Sequence, residues 1–203
     1  MQKNKLLKIS ILCSHKDPEN KDKILINSII DKIITNKLDQ KIQIFHGGSI
    51  GTMMYLRDQL TQNNIYNTGV ISDPYINHEL ENKSFKVIRY KSIFSRFEKL
   101  VQSKIILTLP NGGEGTEAEL RAALTTIKVL GWKQKNNFPI LNCEKKTLCV
   151  TGKFIKRTKN YLNYWLDQGN TSFISPIVSQ SIHYLSNNIP KQLITIINQS
   201  IYL

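Results

Sequence analysis

Two glycine turns restrict what this chain can fold into. Gly47-Gly48-Ser49-Ile50-Gly51 follows the short alternating run Lys41 to Phe45 (KIQIF), and Gly112-Gly113-Glu114-Gly115-Thr116 follows the apolar run Ile105 to Leu109 (IILTL). Each turn then opens a segment with helical spacing. A strand, a glycine turn and a helix in that order aim the unpaired N–H groups of a helix N-terminus across the carboxyl end of a strand, where α/β proteins bind anions. Glycine suits such a turn because it tolerates positive φ and lets backbone approach a ligand closely. Ser49 and Thr116 add hydroxyl groups. Neither turn contains GxxxxGK[ST] or GxGxxG, which argues against a P-loop ATPase and a dinucleotide-binding dehydrogenase. A mononucleotide phosphate is the more natural ligand, and the plainer alternative is a tight strand-to-helix turn with no ligand.

The rest of the chain repeats the same alternation. Leu6 to Cys13 reads as a strand ending in Ser14 and His15, and Asp22 to Asn36 as a helix with Ile24, Leu25, Ile29, Ile30 and Ile33 at helical spacing. A helix over Thr52 to Leu60 follows the first glycine turn. Val70 to Pro74 and Phe85 to Tyr90 are strand candidates separated by a polar loop with Asp73, Pro74 and Asn82. Ser92 to Gln102 is a helix candidate, and Ile105 to Leu109 is apolar enough to be buried on both faces, as in a central parallel strand. A helix runs from the second glycine turn to about Leu130. Phe138 to Asn142 (FPILN) reads as another buried strand, Gly152 to Gln168 as a helix, and Ile189 to Gln199 as a closing helix. The expectation is an α/β fold, a doubly wound parallel sheet with helices on both faces and its site at the carboxyl ends of the strands. No linker or repeat divides residues 1–203, so a single domain is expected.

Composition narrows the class. Hydrophobic residues make up 40% of the chain and charged residues 21%, enough apolar material for an ordered core. Cys13, Cys143 and Cys149 form no CxxC pair and leave an odd thiol, which argues against a disulfide framework and a zinc site. The apolar run near the N-terminus is too short for a signal sequence, and no stretch approaches a membrane span; a cytoplasmic protein is expected. The net charge of +13 comes from scattered lysines. It reads as a global bias with solvated basic faces, with steering of phosphorylated ligands as a secondary consequence. A nucleic-acid-binding role rests on charge alone and predicts steeply salt-dependent oligonucleotide binding.

Glu119 lies just beyond Thr116 in the first turns of the helix. The sequence Thr116 to Glu119 fits a T-x-x-E capping box, and acidic residues there also complement the helix dipole. Glu117 shares the second explanation and is the better candidate for dipole compensation alone. Arg96, on the preceding helix, is a surface arginine unless the fold brings it over the strand ends.

Arg96 followed by Pro110-Asn111-Gly112-Gly113-Glu114-Gly115-Thr116-Glu117-Ala118-Glu119 resembles the paired signature of the LOG (LONELY GUY) family of cytokinin riboside 5′-monophosphate phosphoribohydrolases, an R-K-x-x-M motif followed by P-G-G-x-G-T-x-x-E. Phe45 to Met54 resembles the family's Y-G-G-G-S-V-G-L-M-G, and Ile9 to Ser14 its opening strand and cysteine-glycine-serine turn. Pro139 to Asn142 resembles the strand before its last helical pair, and Ile174-Ser175-Pro176 its penultimate turn. The resemblance spans nearly the whole chain in order. It implies a Rossmann-like protein, usually a homodimer, that hydrolyses the N-glycosidic bond of a nucleoside 5′-monophosphate, AMP or N6-modified AMP, to free base and ribose 5-phosphate. It implies that no metal or redox cofactor is needed; from composition and charge, no membrane partner is expected and a nucleic-acid partner is disfavoured. Arg96 and Glu119 would be the catalytic pair. Gly47, Gly48, Ser49, Gly51, Gly112, Gly113, Gly115 and Thr116 would hold phosphate and ribose.

Three positions depart from the pattern: Phe97 replaces the lysine after the arginine, His46 replaces the first glycine of the earlier turn, and Asn111 is inserted after Pro110. These bear on substrate more than on fold. They also permit a second function class, a nucleotide-binding sensor without turnover. The base pocket is unassigned by sequence; Met53, Tyr55, Phe94 and Phe97 are candidates to stack on a base and equally candidates for the core. A pyrimidine nucleotide as substrate, or transfer of the sugar to another base, also stays open.

Overall fold

The structure is a computed structural model that describes residues 6–72, 84–141, 144–169 and 175–201. Seven strands form one parallel sheet in the order β4-β3-β2-β1-β5-β6-β7. In chain order the elements are β1 (Leu7–Leu12), α1 (Asn20–Thr35), β2 (Ile42–His46), α2 (Thr52–Gln62), β3 (Asn67–Ser72), β4 (Phe85–Tyr90) and α3 (Ile93–Val101). They continue with β5 (Ile105–Thr108), α4 (Glu114–Lys135), β6 (Thr147–Thr151), α5 (Lys153–Asp167), α6 (Pro176–Ser181), β7 (Ile182–Leu185) and α7 (Ile189–Ile201).

Strands buried on both faces need two apolar layers, and alternate residues of each strand supply them. Ile9 and Ile11 of β1, Ile42 and Ile44 of β2 and Ile105 and Leu107 of β5 face α1, α2 and α7, where they meet Ile26, Ile30, Leu56 and Ile197. Leu12, Phe45, Ile106, Leu148 and Val150 face the other way, onto Leu100 of α3, Leu120 and Leu124 of α4 and Phe154 of α5. The sheet is thus doubly wound, a Rossmann-like α/β fold as expected. Its order reverses between β1 and β5, so the crevice at the carboxyl ends of these two strands is where such a fold places a ligand. Among the described residues no helix is long and apolar enough to cross a membrane.

Two expectations fail. Residues 138–141 are not a strand: Phe138 and Leu141 are exposed, and Phe138 stacks on Trp132 with ring centroids 5.1 Å apart. Pro139 lacks the N–H that a central ladder needs. The buried strand of this region is β6, whose Thr147–Thr151 pairs with β5. Asn142 lies outside the described residues, as do Asp73, Pro74, Asn82, Cys143 and Ile174. The second failure is the capping box. Helix α4 begins at Glu114 with Gly113 as N-cap, so Thr116 sits inside the first turn and its hydroxyl makes no capping bond. Sequence spacing also left β7 and the short helix α6 unread, because at 4 and 6 residues each is too short to show a period.

Candidate active site

The loops after β1, β2 and β5 converge on the β1/β5 crevice. The first glycine turn is held from below by His46, the last residue of β2, which is fully buried. Its Nδ1 accepts a hydrogen bond from the Gly48 N–H at 3.1 Å, which leaves Nε2 to donate to Asn67 Oδ1 at 3.1 Å. Burial is the main reason that His46 titrates low, at about 4, so the ring is neutral at physiological pH. His46 shapes the glycine turn from inside the protein and is not placed to touch a ligand. Gly48 has φ +66°, and a Cβ there would meet the Gly69 backbone at 2.8 Å, so only glycine fits.

Arg96 is buried, not at the surface. Helix α3 starts at the N-cap Ser92, whose hydroxyl accepts from Phe94 N, and its first turns lie over the end of β3. From there the Arg96 Nε donates to the Val70 carbonyl at 2.9 Å and Nη1 donates to Glu119 Oε1 at 2.7 Å. The third nitrogen, Nη2, lies 2.6 Å from where a Cβ of Gly47 would sit, and the Met53 sulfur occupies the same space. Gly47 therefore leaves room for the guanidinium beside the turn, and a Cβ there would displace it or the Met53 side chain. Glu119, in the second turn of α4, is 3% exposed. Burial raises its pKa, and the nearby Arg96 charge and hydrogen bond oppose that rise. The sequence-predicted pair thus meets across 23 residues of chain as one buried ion pair.

Two cavities flank this pair. The larger, about 310 Å³, is lined by Gly47, Ser49, Met53, Ile71, Ser72, Ile93, Arg96, Phe97, Glu114, Gly115 and His15. The smaller, about 50 Å³, is lined by Cys13, Ser14, His15, Met53, Arg96, Gly113, Gly115, Thr116 and Glu119. Two buried hydroxyls on these walls, Ser72 Oγ and Thr116 Oγ1, have no hydrogen-bond partner among the described residues. An unpaired buried hydroxyl costs about 1–3 kcal/mol, a cost that a bound polar ligand removes. Cys13 is no nucleophile here: burial first, and then the Glu119 charge, hold its thiol protonated well above its ordinary range.

Of the expected phosphate and ribose contacts, Gly47, Ser49, Gly113, Gly115 and Thr116 line the cavities, whereas Gly48, Gly51 and Gly112 shape the turns behind them. Phe97 and Met53 line the larger cavity. Phe94 is 77% exposed and Tyr55 bonds Asn27 at 3.1 Å, both away from it. The inserted Asn111 donates to both carboxylate oxygens of Asp22 at 3.0 Å and so ties the second glycine turn to α1. Glu117 points away from the crevice to Arg157, Tyr161 and Arg121. His15 and Ser72 carried no motif, and Ser14 was marked only as the end of the opening turn. Their signal was position alone, at the carboxyl ends of β1 and β3.

Gly115 offers a direct probe. A Cβ there meets nothing within 4 Å, and the position is helical. Gly115→Ala is expected to raise stability by up to about 1 kcal/mol, because the added methyl meets no protein atom and only narrows the two cavities. Thermal unfolding of the variant beside wild type checks it.

Among the described residues no group of three or more His, Cys, Asp or Glu is arranged to hold a metal ion. No protein-family model and no curated protein matches the chain. Solved structures do. The molybdenum cofactor carrier protein of Chlamydomonas reinhardtii superposes with TM-score 0.63 at 16% identity, covering 97% of this chain and 99% of its own. The molybdenum cofactor binding protein of the phototrophic bacterium Rippkaea orientalis gives 0.62 at 15% identity, covering 97% and 98%. The protein TM1055 gives 0.58 at 14%, covering 96% and 99%. At these identities the likeness is one of fold: the chain shares the Rossmann-like architecture of these proteins over nearly its entire length.

Proposed function

We propose that this protein is a nucleotide N-glycosidase that cleaves a nucleoside 5′-monophosphate, AMP or an N6-modified AMP, to free base and ribose 5-phosphate. The observation that carries the proposal is the buried Arg96–Glu119 pair between two glycine turns at the sheet's reversal point. Heterolysis of the C1′–N bond leaves positive charge on the sugar, and a carboxylate held in a low-dielectric site stabilises that charge strongly. Arg96, itself anchored on the Val70 carbonyl, fixes the orientation of Glu119. The 5′-phosphate is assigned to the N–H groups that open α2 and α4, with Ser49 and Thr116. The base is assigned to the larger cavity, between Met53 and Phe97. The smaller cavity has room for a water beside Glu119. No metal and no other cofactor enters this scheme, and a homodimer is proposed as the working state.

A second proposal is a carrier or sensor that holds a nucleotide or the molybdenum cofactor without turnover. It is favoured by the names of the carrier and binding proteins with the same fold and by the closure of Glu119 onto Arg96. The experiment that separates the two is release of base and ribose 5-phosphate from a panel of nucleoside monophosphates by wild type and Glu119→Ala. Release by wild type and a loss of at least about 10³-fold in the variant is expected, since both the charge and its positioning go. Binding without release by a folded wild-type protein would favour the carrier.

A further inference from the structure

His15 lies on the walls of both cavities, together with Arg96, Met53 and Gly115, yet belongs to neither glycine turn nor the ion pair. It sits in the loop that leaves β1, and its side chain is solvent-accessible. The backbone around it is held firmly. Thr52 N and Thr52 Oγ1 both donate to the Lys16 carbonyl, at 2.8 and 2.9 Å, Met53 N donates to the Ser14 carbonyl at 3.3 Å, and Lys16 N donates to Ser14 Oγ at 3.0 Å. Gly51, at φ +68°, completes the arrangement: any Cβ there would collide with the His15 carbonyl oxygen. An exposed loop does not need this clamp for burial. Its consequence is a fixed backbone that carries the imidazole to the junction of the two cavities.

Loss of a base from a sugar needs a proton as well as a carboxylate, because the departing ring nitrogen is a poor leaving group as an anion. The titratable and charged side chains on the two cavities are His15 and Cys13 from the β1 strand and loop, Arg96 from α3, and Glu114 and Glu119 from α4. Arg96 does not give up its proton, Cys13 is held protonated, Glu119 is paired with Arg96, and Glu114 lines only the larger cavity, so His15 is the remaining titratable group shared by both. We propose that His15 is the general acid that protonates the departing base; this rests on the glycosidase assignment above. The C1′–N electron pair passes to the base, and a base ring nitrogen takes the proton of the His15 imidazolium. A water oxygen bonds C1′ and yields a proton to the Glu119 carboxylate. Transfer of that proton from Glu119 to His15 through solvent restores both groups, with one water consumed.

The test compares wild type and His15→Asn on two substrates: the nucleoside monophosphate that wild type turns over, and ribose 5-phosphate carrying p-nitrophenol at C1′, whose leaving group departs without a proton. The expected result is a fall in kcat of roughly 10²-fold or more on the nucleotide, with KM little changed, and p-nitrophenol release within about twofold of wild type. Because the side chain is exposed, the variant is expected to unfold at the wild-type temperature. Equal losses on both substrates would overturn the proposal and make His15 a phosphate or sugar contact; so would wild-type kcat on the nucleotide. If wild type releases neither base nor p-nitrophenol, the glycosidase assignment itself falls, and the acid role with it. Release of p-nitrophenol by wild type with no base released from any nucleotide overturns the nucleotide assignment, and the acid role with it.

Discussion

Arg96→Ala is expected to destabilise the protein by about 3–5 kcal/mol, because it strands the Glu119 carboxylate in a site where that side chain is 4% exposed. The loss should be visible in urea or thermal unfolding at neutral pH and should shrink on acidification. Burial raises the Glu119 pKa, and only Arg96 opposes the rise, so without the guanidinium the carboxyl takes up a proton at higher pH. A carboxyl whose folded pKa lies above its unfolded one favours the folded state more as pH falls through the folded value toward the unfolded one. Charge neutralisation therefore relieves the variant more than the wild type. The apolar double replacement Arg96→Met with Glu119→Leu should recover most of the stability, since a buried ion pair exchanged for packed hydrocarbon is often neutral or better. A protein as stable as wild type yet inert toward nucleotides would separate function from folding at this pair. If the double variant is as unstable as Arg96→Ala, the pair is needed for the fold itself, through the bond from Arg96 to Val70.

The second large effect is acid lability from His46. The ring is neutral when folded and titrates at about 4, against an ordinary value of 6.5. Between these values the unfolded chain binds one proton more than the folded one, so stability falls as pH drops through this window, by about 3 kcal/mol in all. Glu119 contributes with the opposite sign, and a difference measurement cancels it. The pH dependence of unfolding should be about one proton shallower between pH 6 and 4.5 in His46→Phe than in wild type. That variant should also lose some stability at pH 7, because the Gly48 N–H and Asn67 Oδ1 each lose a partner. Equal slopes would mean that the ring reaches solvent and is not locked as the Nε2-protonated tautomer.

The sequence by itself settled the strand and helix order over most of the chain, because apolar runs of strand length alternating with helical spacing admit few arrangements other than a doubly wound sheet. It also marked both glycine turns and the residues Arg96 and Glu119. Local patterns misled it in two places. Phe138 to Leu141 is apolar, but Pro139 and the lack of a paired neighbour leave it on the surface, while the less conspicuous Thr147–Thr151 gains the ladder with β5. Thr116 and Glu119 match a capping box, but α4 begins earlier, at Glu114, and that shift frees both side chains to face the cavities. Three things belonged to the tertiary structure alone. It buried Arg96 by laying α3 over the end of β3, turned His46 inward as a support for its own glycine turn, and set His15 beside a carboxylate more than a hundred residues away in the chain. The reason is common to all three: burial and the meeting of charges depend on which strand ends become neighbours, and strand order is fixed by crossovers that leave no mark at the residues they bring together.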